Sequence, residues 1–189
     1  ELAFMQLVAA ADKGLVEAQL YVANAYWAGD GVEQSQINAL YWFKAAADGG
    51  NRDAKFVLGT VYYRGLAGTD DEENYKAQGW EWYCQAADAG DMRAMFNVGV
   101  EYLMEESDFV ERDVATAAEW FERSATTEAG FVPAMTNLGN MYRDGLVGAG
   151  EGGKRDFESA MKWYKLGAAR GDPMCEELLK TATTVNEMS

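Results

Sequence analysis

Two cysteines, a run of carboxylates, a glycine-rich stretch and four paired aromatic sites are the features of this chain that could carry chemistry. Cys84 stands in WYCQAA, two residues after Trp82. As a nucleophile it would need a base to take its proton and an electropositive setting to favour the thiolate. The sequence offers neither. The chain contains no histidine, which removes Ser-His, Cys-His and His-metal chemistry together. Cys84 is therefore expected to be a packed thiol on a helix. Cys84 and Cys175 are too few and too far apart in sequence to suggest a disulfide framework or a metal site built from paired cysteines.

The segment TDDEENYK at 69–76 gathers carboxylates but lacks the alternating ligands and central glycine of an EF-hand loop, so it is expected to be a solvated acidic loop. GAGEGG at 148–153 is followed by no Lys-Ser or Lys-Thr pair and preceded by no strand, which argues against a phosphate loop. A long, flexible loop is expected there. Trp42, Trp82, Trp120 and Trp163, each followed by Phe or Tyr, could be imagined as a ligand-stacking row. They recur at one register whatever the loops between them do, and this points to packing between helices. No catalytic residue, cofactor or metal is expected.

The elements that place these residues follow from composition and repetition. Of 189 residues, 49% are hydrophobic and only 2 are proline against 20 glycines, favouring helices punctuated by glycine turns. Aligned on Gly14, Gly50, Gly90, Gly130 and Gly171, the chain repeats every 36 to 41 residues. Four residues after these glycines stand Ala18, Ala54, Ala94, Ala134 and Cys175; eight after stand Val22, Leu58, Val98, Leu138 and Leu179. Twelve after stand Tyr26, Tyr62, Tyr102 and Tyr142. Such offsets put one apolar stripe on one face of a helix, here helix A.

Ala23, Gly59, Gly99 and Gly139, nine residues after the framing glycines, predict a close backbone crossing. Helix A then ends at Gly29 and Gly31, at Gly65 and at Gly145, but Glu105 stands where repeat three should have its glycine. That turn must close differently, or the helix must run on.

Helix B opens at the candidate N-caps Ser35, Asp113 and Asp156, with Asn74 the nearest candidate in repeat two. The small residues Ala39, Gly79, Ala117 and Ala160 follow, then the tryptophan-aromatic pairs, small residues again, and the closing glycine. Repeat three is longer before Gly130, within ATTEAG, so its turn into the next helix A should differ. The predicted organisation is a single domain over 1–189. It comprises a partial repeat at 1–14, repeats at about 15–50, 51–90, 91–130 and 131–171, and a closing helix at 172–184. About ten helices result, in antiparallel pairs whose apolar faces must stack, and an all-α, right-handed α-solenoid is expected.

With Ala-x3-Leu-Gly-x2-Tyr-x2-Gly in helix A and Ala-x2-Trp-Tyr/Phe-x3-Ala-Ala-x2-Gly in helix B, the sequence resembles the Sel1-like repeat family, a relative of tetratricopeptide repeats. The segments AKFVLGTVYYRG at 54–65, AMTNLGNMYRDG at 134–145, ALYWFKAAADGG at 39–50 and GWEWYCQAADAG at 79–90 carry the resemblance. It implies a protein-interaction scaffold without common catalytic residues. Members serve as adaptors, as bacterial envelope or secretion-linked factors and, in some cases, as immunity proteins.

In such a solenoid helix A lines the concave surface, so partner contacts are expected at helix A positions outside the packing stripe. Trp27, Tyr63, Leu103 and Met104 are the sharpest candidates. Leu20, Phe56 and Phe96 share packing and contact roles. Asn24, Asp53, Arg64, Arg93, Asn140, Arg143 and Asp144 would form a polar rim.

A formal charge of −15 disfavours nucleic acids and anionic membranes and suits a basic protein partner. No window approaches the roughly 20 apolar residues that span a bilayer. The chain begins at Glu1 and not Met, as a mature form or an excerpt would, and a bacterial cytoplasm or periplasm is the expected setting. An interaction scaffold for a protein or peptide is the leading expectation. An immunity protein neutralising a secreted toxin through an acidic face is the alternative. A carboxylate-based hydrolase comes third, since a regular solenoid leaves no single deep site with convergent groups.

Overall fold

The computed structural model describes residues 2–67, 72–147 and 154–187. Among the described residues the chain forms ten α-helices and no strand. They are α1 (Leu2–Asp12), α2 (Val16–Ala28), α3 (Gln36–Asp48), α4 (Arg52–Tyr63), α5 (Glu72–Asp88), α6 (Met92–Leu103), α7 (Val114–Ala125), α8 (Val132–Asp144), α9 (Phe157–Ala168) and α10 (Pro173–Glu187). Even-numbered helices are the A type and odd-numbered helices the B type. The chain divides into two compact units, one up to Ala94 and one from Met95. Of the acidic stretch at 69–76, residues 69–71 lie outside the described residues, as does the glycine-rich stretch at 148–153, whereas 72–76 are not the expected loop but the first residues of α5.

In the first unit α2 pairs with α3 and α4 with α5, while α1 packs on α2 and α3 on α4. Ala23, Ala39, Phe43, Ala46, Ala47, Ala54 and Leu58 form one buried cluster; Ala11, Ala18 and Val22 form a second. Trp42 packs against both clusters, and Trp82 of α5 reaches back onto the first. The tryptophan register therefore fills space between successive pairs. The deepest side chain is the residue after it: Phe43 is 1% exposed and Tyr83 6%.

That second aromatic explains the glycines of helix A, and it corrects the expected backbone crossing. A Cβ on Gly59 would lie 2.6 Å from Cδ1 of Tyr83, so the glycine makes room for a ring, not for another backbone. Only repeat one, facing Phe43, has alanine there, at Ala23. The true backbone crossing is at Gly79, where a Cβ would lie 2.6 Å from Cα of Tyr63.

In the second unit α7 packs on α8, α8 pairs with α9 and α9 packs on α10. Phe121 and Tyr164 are fully buried, and Gly99 and Gly139 make room for their rings as Gly59 does for Tyr83. Trp163 packs back onto the cluster of Ala117, Phe121, Leu138 and Met141. At the end of the chain the small-residue pattern is redistributed. Cys175 replaces the usual alanine of helix A, and Gly167 stands opposite it, where a Cβ would collide with the Cys175 sulfur. The bulk gained on α10 is removed from α9.

The turns follow local chemistry. Ser35, Asp113 and Asp156 cap α3, α7 and α9, each side chain accepting from backbone N–H groups of the first turn. Asn74 is not a cap: α5 begins at Glu72, so Asn74 lies inside the helix, where its Oδ1 accepts from Gln78. Each of these three helix B caps also donates its own N–H to the carbonyl of the last stripe tyrosine of the preceding helix A. The distances are 2.9 Å from Ser35 to Tyr26, 2.8 Å from Asp113 to Tyr102 and 2.9 Å from Asp156 to Tyr142.

Repeat three, which lacks the turn glycine, closes differently. Helix α6 stops at Leu103, and buried Glu101 accepts a 2.7 Å hydrogen bond from the Ser107 hydroxyl. The same hydroxyl accepts from the N–H of Phe109, and Arg112 Nε donates to the Leu103 carbonyl. The longer turn before Gly130 is held by Thr127, whose hydroxyl donates to the Ser124 carbonyl and accepts from the Gly130 N–H.

Candidate interaction surface

Every candidate contact residue of the first unit except Arg93 lies on or at the end of α2 or α4, and the repeat fixes its orientation. Leu20 and Trp27 are half-buried and pack against the cluster around Phe43. The Trp27 ring meets Phe43 edge-on at 6.3 Å between centroids. Phe56 and Tyr63 flank Tyr83 at 5.8 and 5.6 Å. Trp27 and Tyr63 are thus not free of the core, as their place outside the stripe suggested. Each keeps part of its ring accessible while the rest is braced by the buried aromatic of helix B.

The polar candidates of this unit divide sharply. Asn24 and Arg64 are exposed, and Arg64 is the C-cap residue of α4. Asp53 and Arg93 instead belong to a network. Arg93 Nη2 lies 2.5 Å from Asp53 on α4 and 2.5 Å from Asp91, and its guanidinium sits 4.1 Å over the Phe56 ring. Asp91, whose side chain is 3% exposed, also accepts from the backbone N–H groups of Arg93 and Ala94. Hydrogen bonding to Asp91 raises the pKa of Arg93 further above its ordinary value. Asp91 was not among the sequence candidates. Its position just before a helix A, with an arginine two residues on, was the available signal.

In the second unit Phe96 is half-buried between the rings of Phe121 and Phe131, at 5.5 and 5.3 Å. Leu103 packs on the core cluster, whereas Met104, just past α6, is 43% exposed, the most open of the apolar candidates. Asn140 is engaged: its Oδ1 accepts from the Tyr164 hydroxyl at 2.9 Å. Tyr83 makes the equivalent bond to Thr60 at 3.2 Å. Both acceptors directly follow the glycine under the ring, a pairing that only the folded chain reveals. Arg143 and Asp144 pair with each other, with Nε to Oδ1 at 2.8 Å and Nη2 to Oδ2 at 2.9 Å. Hydrogen bonding to Arg143 lowers the Asp144 pKa below the usual carboxylate range.

Nothing in these groups assembles an acid, a base and a nucleophile. Burial, with Asp88 and Glu81 adding to it, pushes the Cys84 thiol up to about 11, and burial also raises Cys175. Both are protonated at neutral pH. Among the described residues no group of three or more potential ligands could hold a metal ion, and no helix is long and apolar enough to cross a membrane.

The Sel1 repeat model matches residues 16–51, 52–91, 93–126 and 132–172, four units in the register of the helix pairs described above. The chain belongs to the Sel1 repeat family. A Sel1 repeat protein from Oxalobacter formigenes is similar at 33% identity and a TM-score of 0.80, over 96% of this chain and 49% of that one. A second similar structure is c5321, a protective antigen present in uropathogenic Escherichia coli strains and displaying an SLR fold. It is 31% identical, with a TM-score of 0.76, over 91% of this chain and 34% of that one. The chain thus spans about half and about a third of the length of these two proteins. No curated protein is significantly similar in sequence. The fold class is the all-α solenoid of Sel1-like repeat proteins, an architecture that mediates protein–protein interactions.

Proposed function

We propose that this Sel1 repeat protein is a non-catalytic interaction module that binds a protein or peptide on the helix A side of its first unit, with Trp27 and Tyr63 as anchors. The observation that carries this reading is the bracing of both rings. Each occupies the same register position, each leans on the buried aromatic of its own pair, and each keeps a minor part of its ring accessible. A large aromatic held in place before binding loses little side-chain entropy when a partner covers it, which is the usual property of an energetic anchor. Leu20, Phe56, Asn24 and Arg64 would surround them. In the second unit Leu103 and Met104 offer an apolar contact of their own, and the Arg143–Asp144 pair a polar one.

Alanine substitution of Trp27 and Tyr63 together tests the proposal on a partner recovered by affinity capture from the native organism. The expected result is a loss of affinity of at least about tenfold with an unchanged helical circular dichroism spectrum. Unchanged affinity would reject the anchors.

The net charge of −15 favours a basic partner. An immunity protein neutralising a basic secreted toxin is the version of this reading that the charge supports. It requires association that slows steeply with added salt, and salt-insensitive association would remove it.

A further inference from the structure

The position after the small residue of helix B carries Leu40, Trp80, Ala118 and Met161 in the four repeats. Leu40 packs on the cluster that includes Leu58 of α4, and Met161 on the cluster that includes Ala182 of α10. This register therefore seals helix B against the following helix A. In α7 it is alanine, and a cleft of about 600 Å³ opens between α7 and α8. Leu138, Tyr142, Leu146 and Val147 form its apolar wall, and Glu119, Glu122 and Arg112 stand on its rim.

The rim is acidic. Glu119 and Glu122 lie one turn apart on the exposed face of α7, and neither carboxylate makes an ion pair among the described residues. Arg112 is held at the edge through the hydrogen bond from its Nε to the Leu103 carbonyl. Asp113, also at the rim, spends its carboxylate on capping α7.

We infer that the cleft between α7 and α8 at Ala118 is a second docking surface, and that it takes a basic protein segment that inserts one large apolar side chain beside a lysine or arginine. The missing side chain defines what fits. Leucine and methionine seal this register in two of the other repeats, so a partner residue of that size replaces what the chain omits. The flanking positive charge follows from Glu119 and Glu122, whose repulsion of each other and of the rest of the −15 charge it would relieve. This surface lies on helix B of the second unit, apart from Trp27 and Tyr63, and stands whether or not those two are anchors.

The test uses a fluorescein-labelled peptide with one leucine among lysines, and the same peptide with glutamates in place of the lysines. Saturable anisotropy with a Kd below about 1 mM is expected for the lysine peptide only. Ala118→Leu should fill the cleft and weaken binding at least about tenfold while raising the unfolding midpoint, because a cavity closes. Glu119→Lys with Glu122→Lys should weaken it by a similar factor, with no gain in stability. Trp27→Ala with Tyr63→Ala should leave it unchanged. The inference is overturned if the lysine peptide does not saturate, if the glutamate peptide binds equally well, or if Ala118→Leu folds and binds as the parent does.

Discussion

The two units spend the same register positions in opposite ways. In the first, the position thirteen residues after each framing glycine is aromatic, Trp27 and Tyr63, and the outer slot of helix B is filled by Leu40 and Trp80. In the second, the same positions are Leu103 and Arg143, the latter tied to Asp144, while the outer slot of α7 is emptied to Ala118. The second unit thus keeps an apolar contact at Leu103 and Met104 and adds a cleft between α7 and α8 at Ala118. The framing glycines, stripe residues and buried aromatics are common to both units. What differs is the set of positions the frame does not need.

The largest expected effect tests whether the frame is truly shared. Phe43→Ala in the first unit and Phe121→Ala in the second should each cost about 3–5 kcal/mol by denaturant unfolding, because both rings are fully buried. Trp42→Ala, at a half-buried site, should cost clearly less. If the tryptophan proves the more costly, the assignment of the second aromatic as core residue fails.

Next in size is a change that three repeats already contain. The small position of helix B is alanine in Ala39, Ala117 and Ala160, yet Gly79→Ala should destabilise by about 1–3 kcal/mol. Its added Cβ meets the backbone of Tyr63, which cannot swing aside as a side chain can. A neutral result would mean that α4 and α5 are farther apart than described.

A smaller effect separates the tyrosine pairs from the phenylalanine pairs. Tyr83→Phe and Tyr164→Phe should each lose about 1 kcal/mol with the hydrogen bonds to Thr60 and Asn140. Phe43 and Phe121 have no hydroxyl to lose.

The smallest contrast concerns acid. Asp113 and Asp156, which cap α7 and α9, have pKa values lowered mainly by hydrogen bonds from Thr116 and Ser159. Their counterpart in the first unit, Ser35, does not titrate in this range. A lowered folded pKa gives stabilisation that is complete above the unfolded value of about 4 and is lost as pH falls through the folded value. Amide exchange compared at pH 6 and pH 3 should therefore show the first turns of α7 and α9 losing protection before that of α3. Equal loss in all three would remove the distinction.

What could be read from the sequence was whatever recurs locally. The glycine frame, the Ala18, Ala54, Ala94 and Ala134 stripe and the caps Ser35, Asp113 and Asp156 are spacings within one helix or one turn. What could not be read depends on which residues face each other across helices. Gly59 and Tyr83, or Asn140 and Tyr164, are more than twenty residues apart, and nothing in either alone says that one makes room for the other or bonds to it. The same holds for Arg93, a rim residue by position that proves to be engaged by Asp53 and Asp91. Asn74 failed for a local reason: an N-cap type was available, but the helix had already begun at Glu72.

The bond from the N–H of each of these helix B caps to the tyrosine carbonyl joins Ser35 to Tyr26, Asp113 to Tyr102 and Asp156 to Tyr142 across three different sequence separations. It acts as a staple at the base of the connection whatever the number of residues it closes. Lengthening a closed connection costs only about 0.6 kcal/mol per doubling. The segments between these stapled ends are therefore where foreign sequence can be grafted without retuning the helices. Because Trp27, Met104, Arg112, Leu146 and Val147 lie on these same segments, a graft there borders the two proposed contact surfaces and can extend them.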